Sequence, residues 1–323
     1  MGFLQQGIWV DQWYDTQKHQ GRFKRTTAQF RNWIESDKLA RFPAESGRYH
    51  LYVSYACPWA HRTLIYRSLK ELDDMIGVSV VDWHMGDQGW TFKPSSPQNG
   101  AKDHLYQLNY AHQLYTKADP KYTGRVTVPI LWDTQEQTIV SNESADIIRM
   151  FNRSFDHLGA AQIDFYPIKQ QQAIDGLNEL IYQTINNGVY LCGFATSQEA
   201  YDEAINPLFN TLDKLNDQLK ERRFLLGSRP LEPDWRLFTT LVRFDAVYHT
   251  HFKCTHRRLI DYPHLWAYAR DLYQWPGIEK TIFMDHICHH YYGSHPMINP
   301  NRIVPKMPAM DWLAPHQREH LSR

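Results

Sequence analysis

The rhythm of apolar and polar positions changes along the 323-residue chain, and the changes divide it. Up to about residue 46 the order is polar and without a clear period, with Gln, Lys, Arg and Trp mixed. Residues 1–46 therefore read as an extension wrapped on a fold, not as a domain of their own. From 47 to 160, short β-branched runs alternate with helical spacing. Tyr52 and Val53 are strand formers and predict a first strand over 49–54. Ala60, Leu64, Ile65, Leu69 and Leu72 then recur near the helical period and predict a helix over 58–73. Gly77–Asp82 reads as a second strand, Arg125–Asp133 as a third and Thr138–Val140 as a fourth. Ser141-Asn142-Glu143-Ser144 supplies capping residues for a helix over Ala145–Phe151. Between 83 and 124 the period fails, apart from a helical patch near 104–116. That stretch is too long for an ordinary connector and reads as an irregular insertion with a function. From 161 to 323 the spacing is nearly all helical, over 165–187, 197–219, 233–249 and 263–274. The expectation is an α/β domain followed by an all-α domain.

Two positions resist the simple reading. Pro129 inside the third strand cannot donate to a ladder, which argues against a normal central strand. A cis proline in a bulge facing a ligand resolves the conflict. Cys57, in turn, falls where a strand gives way to a helix, with Pro58 suited to the first helical turn because it has no N–H to lose there. Unpaired N–H groups and the positive end of the helix dipole favour a thiolate at such a place, so Cys57 is the candidate nucleophile. The plainer alternative is a buried structural cysteine.

Composition narrows the chemistry. The 35 basic and 35 acidic side chains balance, which argues against a general nucleic-acid or membrane-surface binder. No apolar run approaches the roughly 20 residues of a membrane helix, and the first residues carry no secretory signal pattern. Four scattered cysteines are no disulfide framework and point to a reducing compartment, the cytoplasm. Position 60 is Ala, so Cys57 has no partner in a Cys-x-x-Cys pair and would form a mixed disulfide that a second thiol must resolve. His286, Cys288, His289 and His290 cluster, but their spacing matches no closed four-ligand pattern and no metal is expected.

A Cys at a helix start and a proline before a later strand describe a thioredoxin-like half. Val128 would offer its backbone N–H and C=O to an extended peptide. Glu143 and Ser144 at the next helix start offer a carboxylate, a hydroxyl and free N–H groups for an α-amino acid, although a plain helix cap explains them equally well. A thiol beside a peptide slot and an amino-acid clamp fits glutathione.

Over nearly its whole length the chain resembles the glutathione transferases. It most resembles the xi class, the glutathionyl-hydroquinone reductases, which are omega-like. The resemblance rests on Cys57-Pro58-Trp59-Ala60-His61-Arg62, Gly89-Trp90, Thr127-Val128-Pro129-Ile130-Leu131-Trp132 and Asn142-Glu143-Ser144. The helical half adds Gly188-Val189-Tyr190, Gly193-Phe194-Ala195, Asp234-Trp235-Arg236 and the late His290-Tyr291-Tyr292. The family implies a thioredoxin-like glutathione-binding domain over 47–160 and an all-helical domain over 161–323, assembled as a homodimer. It implies Cys57 as nucleophile, and Trp90, Arg125, Val126, Thr127, Val128, Glu143 and Ser144 as the glutathione site. Tyr190 would donate a proton to the leaving aromatic carbon, while Tyr248 and Tyr291 would keep Cys57 ionised and shape the hydroquinone pocket. A phenol is a hydrogen-bond donor at neutral pH, which suits all three. The substrates implied are glutathione and glutathionyl-hydroquinones. The rival readings are an omega-like thiol transferase or dehydroascorbate reductase, and a non-catalytic ligand-binding homologue. One departure is Leu231, which stands where related chains start a helix with Ser or Thr. Its loss of a side-chain acceptor predicts weaker local stability by about 1 kcal/mol.

Overall fold

The structure is a computed structural model that describes residues 2–96 and 100–322. They form two compact units. The first takes in the chain up to Trp13, Thr26–Ile163 and Lys280–Arg302; the second takes in Tyr14–Arg25, Asp164–Glu279 and the chain from Ile303. Each unit is therefore discontinuous, where hydropathy rhythm alone draws continuous blocks.

In the first unit, β1 (Phe3–Gln5) and β2 (Ile8–Val10) form an antiparallel hairpin. Then come β3 (Tyr49–Val53), α1 (Pro58–Leu69) and β4 (Ile76–Val80). A small hairpin of β5 (Met85–Gly86) and β6 (Gly89–Trp90) precedes α2 (His112–Ala118) and β7 (Gly124–Arg125). β8 (Ile130–Asp133), β9 (Thr138–Ser141) and α3 (Ser144–Arg153) complete the α/β part. The main sheet has the order β4-β3-β8-β9, with β3 parallel to β4 and antiparallel to β8. All five residues of β3 are buried. A central strand covered on both faces shows no in–out alternation, which is why this segment reads as an apolar run.

The expected third strand over Arg125–Asp133 is two strands. β7 pairs with β1 of the amino-terminal hairpin, and β8 pairs with β3 in the main sheet. Pro129 lies between them, has no N–H for a ladder, and follows Val128 through a cis peptide bond.

The described residues of the 83–124 stretch, which leave out 97–99, pack as a layer instead of an irregular loop. Met85, Trp90, Phe92, Ala111, Leu114 and Tyr115 form one buried cluster with Tyr52, Ile130 and Trp132 of the main sheet. Residues 130 and 132 share a face by the period of two, and Tyr52 is paired to Ile130. The helix here spans His112–Ala118, not 104–116. The residues before it are diverted by side chains: Asp103 accepts the N–H of Leu105 and Leu108, and Gln113 accepts those of Asn109 and Tyr110. α1 likewise ends at Leu69, short of 73. Glu71 takes a left-handed conformation (φ 54°), and Leu72 N–H returns to the Arg67 carbonyl.

The second unit holds α4 (Gln171–Ile181), α5 (Gly188–Gly193), α6 (Gln198–Gln218), α7 (Glu232–Arg243) and α8 (Pro263–Tyr273). The single helices expected over 165–187 and 233–249 are each interrupted by a wide π turn, at Tyr182–Asn186 and at Phe244–Tyr248. α7 is buried along its whole length. At its start Leu231 makes no side-chain cap, as its chemistry requires, but Asp234 reaches back to accept the N–H groups of Leu231 (2.8 Å) and Leu225 (2.9 Å) and the Tyr268 hydroxyl (2.8 Å). Burial nevertheless pushes the Asp234 carboxyl up to about 6. The chain then returns to the first unit with α9 (Met284–Ser294), a helix that the spacing did not predict. Among the described residues, no helix is long and apolar enough to cross a membrane.

Candidate active site

Cys57 is the N-cap of α1, in extended conformation, with Pro58 at the first helical position. The turn before it is tied by Cys57 N–H to the Ser54 carbonyl (3.1 Å) and by Ala56 N–H to Ser54 Oγ (3.2 Å). The thiol is half-buried and its Sγ lies 3.5 Å from the Val128 carbonyl oxygen. The residue before the cis proline is thus the immediate neighbour of the candidate nucleophile. The other three cysteines are buried.

Two further elements bring the expected glutathione residues into this unit. Glu143 is the N-cap of α3; its Oε1 accepts the Ala145 N–H (3.0 Å) and lies 3.4 Å from the Ser144 hydroxyl. Arg62 of α1 reaches Ser144 Oγ at 3.5 Å while its guanidinium lies over the Trp59 ring (4.6 Å to the centroid). Trp90, at the end of β6, is buried, and its indole N–H finds no acceptor among the described residues. A buried donor left without an acceptor costs about 1–3 kcal/mol, so this one is suited to a bound polar group. Cys57 packs against the same cluster that holds Trp90 and Val128. Val126 is also buried in that cluster. The Arg125 guanidinium turns toward the extension, donating to the carbonyls of Gln12 and Trp13 and lying 5.3 Å from the Phe3 ring centroid.

The tyrosines divide between the units. Tyr291 on α9 belongs to the first, where its ring lies 5.4 Å from His290 and 5.6 Å from His295. His290 stacks on Trp90 (4.8 Å, 23°) and its Nδ1–H donates to the Trp83 carbonyl (2.8 Å). Tyr291 thus reaches Trp90 through His290, and the Tyr292 carbonyl accepts Asn299 Nδ2–H (2.8 Å). Tyr190 on α5 and Tyr248 at the end of the second π turn belong to the second unit, with centroids 6.0 Å apart. Phe252 packs against both rings, at 5.3 and 5.5 Å. Wide π turns recur at functional positions because they insert a residue and re-aim the side chains after it.

Several residues carried no usable signal in the sequence. Arg25, in the polar extension, lies over the Tyr190 ring (5.0 Å) and donates to Asn187 Oδ1 (3.2 Å). His290 stood out only as part of a His-Cys cluster. Among the described residues no group of three or more His, Cys, Asp or Glu side chains is placed to hold a metal ion. Tyr115 lies in the short helical patch of the 83–124 stretch, where nothing in the sequence gives it a role, yet it is fully buried beside Thr127.

Residues 56–154 match the glutathione S-transferase N-terminal domain and residues 198–271 its C-terminal domain. Glutathionyl-hydroquinone reductase YqjG of Escherichia coli K12 is 54% identical over 99% of both chains, and PcpF of Sphingobium chlorophenolicum is 52% identical over 96% of this chain and 97% of its own. The glutathione-bound structure of YqjG superposes with a TM-score of 0.90 at 51% identity, covering 98% of this chain and 99% of that one. A xi-class glutathione transferase from Natrialba magadii gives 0.93 at 49%, covering 100% and 98%. The chain belongs to the xi-class glutathione transferases, the family of the glutathionyl-hydroquinone reductases.

Proposed function

We propose that this chain reduces glutathionyl-hydroquinones to hydroquinones at the expense of glutathione. The observation that carries the reading is Cys57, alone at the start of α1 with Ala60 one turn on, its sulfur against the Val128 carbonyl. A single thiol there cannot close an internal disulfide with a neighbour on the same helix, so glutathione itself must resolve what Cys57 forms. The names of the relatives, and the glutathione bound in one of them, support the same choice of substrates.

The cycle has two steps. The Cys57 thiolate attacks the sulfur of the glutathionyl-hydroquinone, forming Cys57–S–SG. The sulfur–aryl bond breaks, its electron pair stays on the aryl carbon, and Tyr190 gives that carbon a proton. A second glutathione then attacks the mixed disulfide as thiolate, releasing glutathione disulfide and Cys57 thiolate, and its proton restores the Tyr190 phenol. Trp90, the Arg125–Val128 backbone, Glu143 and Ser144 hold the glutathionyl part, with Trp90 N–H and the α3 N-terminus donating to its carboxylates. Tyr248 and Tyr291 favour the ionised thiol by hydrogen bonding and flank the ring. No metal takes part. The enzyme works as a homodimer in the cytoplasm, where glutathione is held reduced; a monomeric mass by light scattering would refute the dimer.

The test is an assay of glutathionyl-hydroquinone with glutathione. Cys57→Ala is expected to abolish turnover, and Tyr190→Phe to slow it on the order of a hundredfold, the effect of losing a positioned acid. Full activity in Cys57→Ala overturns the mechanism. Reduction of small mixed disulfides with the aryl thioether left intact would favour the thiol-transferase reading instead.

A further inference from the structure

The two halves of the glutathione slot come from different loops. Val128 lies on the β7–β8 connection, and Glu143-Ser144 forms the start of α3, as its cap and first residue. Something must fix their separation, because a bound tripeptide spans both. The side chain that does so comes from α2, inside the 83–124 stretch.

Tyr115 is fully buried, with its ring packed on Tyr122 (5.0 Å) and Phe30 (6.0 Å). Its hydroxyl donates to the Thr127 carbonyl (2.9 Å) and accepts the Thr127 N–H (3.2 Å). It also accepts Asn142 Nδ2–H (3.1 Å). The Thr127 hydroxyl also lies 3.3 Å from it, so the one proton and the acceptor positions of the phenol are all engaged. Thr127 is the residue before Val128, whose carbonyl meets the Cys57 sulfur. Asn142 is the residue before Glu143, the α3 cap. Asn142 is itself held from the other side by paired bonds with the Phe30 backbone, at 3.1 and 3.2 Å.

We infer that Tyr115 is a positioning residue of the glutathione slot: its hydroxyl sets the separation of the cis-proline loop from the α3 N-terminus, and so governs affinity for glutathionyl groups without touching them. The inference rests on the glutathione reading of the slot. It also gives the 83–124 stretch a role, because that stretch carries the clamp. Removing the hydroxyl leaves the Thr127 N–H and the Asn142 amide without a buried partner, and each loop is then free to relax.

Tyr115→Phe tests this, since it keeps the ring and deletes only the hydroxyl. Calorimetric affinity for glutathione is expected to weaken about tenfold, in line with the loss of hydrogen bonds that each contribute modestly. The KM values for glutathione and for its hydroquinone conjugate should rise together while kcat changes much less. The rate at which iodoacetamide alkylates Cys57 should stay the same, because that reagent does not need the slot. If Tyr115→Phe does not fold, Asn142→Ala decides the matter, with an expected weakening of about threefold or more. If both fold, the double variant should weaken binding by less than the product of the two single effects, because the changes share the Tyr115–Asn142 bond while Asn142→Ala also loses its bond to Phe30. Wild-type affinity in the folded variants overturns the inference, as does a fall in kcat with KM unchanged. Failure of the wild-type protein to bind glutathione would instead overturn the reading on which it rests.

Discussion

At the scale of single residues, the chemistry is concentrated on a sulfur atom whose surroundings are set by backbone. Cys57 caps α1 in extended conformation, and its side chain therefore lies at the open N–H end of the helix. That end carries roughly half a positive charge. The expected consequence is a thiol that ionises below the value of free cysteine. Iodoacetamide alkylation followed against pH should give a midpoint for Cys57 below that of free cysteine; a midpoint at or above it contradicts the electrostatic account. This residue was legible in the sequence because a strand, a Cys-Pro pair and a helical period sit next to one another. Tyr115 was not. Its role depends on Thr127 and Asn142, 12 and 27 positions away, and neither spacing carries a periodic signal.

At the scale of elements, the helical half is organised around two π turns and a tight helix end. Gly193 closes α5, and a Cβ placed there would lie 2.2 Å from Cγ of Phe252. That ring is held among Tyr190, Phe194 and Tyr248 and has nowhere to retreat. Gly193→Ala should cost about 1–3 kcal/mol, the range of core overpacking, and disturb the Tyr190 ring. Thermal melts of the two proteins check this, and an unchanged Tm contradicts it. Most elements followed from periodicity, because β-branched runs and helical stripes bury one predictable set of positions. Among the features that escaped it, three show why. The third strand was split by Pro129, whose missing N–H forces a change of partner. α2 was displaced by the Asp103 and Gln113 side chains, which capture the backbone N–H groups a helix at 104 would have used. α9 was missed because its buried residues include His290 and Ser294, so the apolar stripe is broken by polar side chains.

At the scale of the whole molecule, buried titratable groups set how stability responds to acid. Burial lowers His50 and His251 from the ordinary 6.5 to about 4. Each therefore contributes stability that is present above pH 6.5 and is lost as pH falls toward 4. Burial raises the Asp234 carboxyl from 3.8 to about 6, which works in the opposite sense: its contribution is present below 3.8 and is lost as pH rises through 6. Burial lowers His84 and His112 in the same sense as His50 and His251, and raises the Asp245 carboxyl in the same sense as Asp234, so four depressed histidines stand against two raised carboxyls. The melting temperature should accordingly fall between pH 6.5 and pH 4; a flat or rising profile there contradicts the assignment. The grouping of Lys280–Arg302 with the first unit is likewise a property of the whole chain. It was invisible to a reading that moves along the sequence, because only packing in space joins α9 to the elements around Trp90.

The central claim is that Cys57 takes a glutathionyl group directly from an aromatic carbon. It is tested most directly by offering one equivalent of glutathionyl-hydroquinone without free glutathione and measuring the intact and peptide masses of the protein. The account predicts one added glutathionyl group, located on Cys57, together with an equal amount of free hydroquinone. Both should be absent in Cys57→Ala, and added glutathione should discharge the adduct as glutathione disulfide. Release of hydroquinone with no adduct on Cys57, or an adduct on another cysteine, would contradict it.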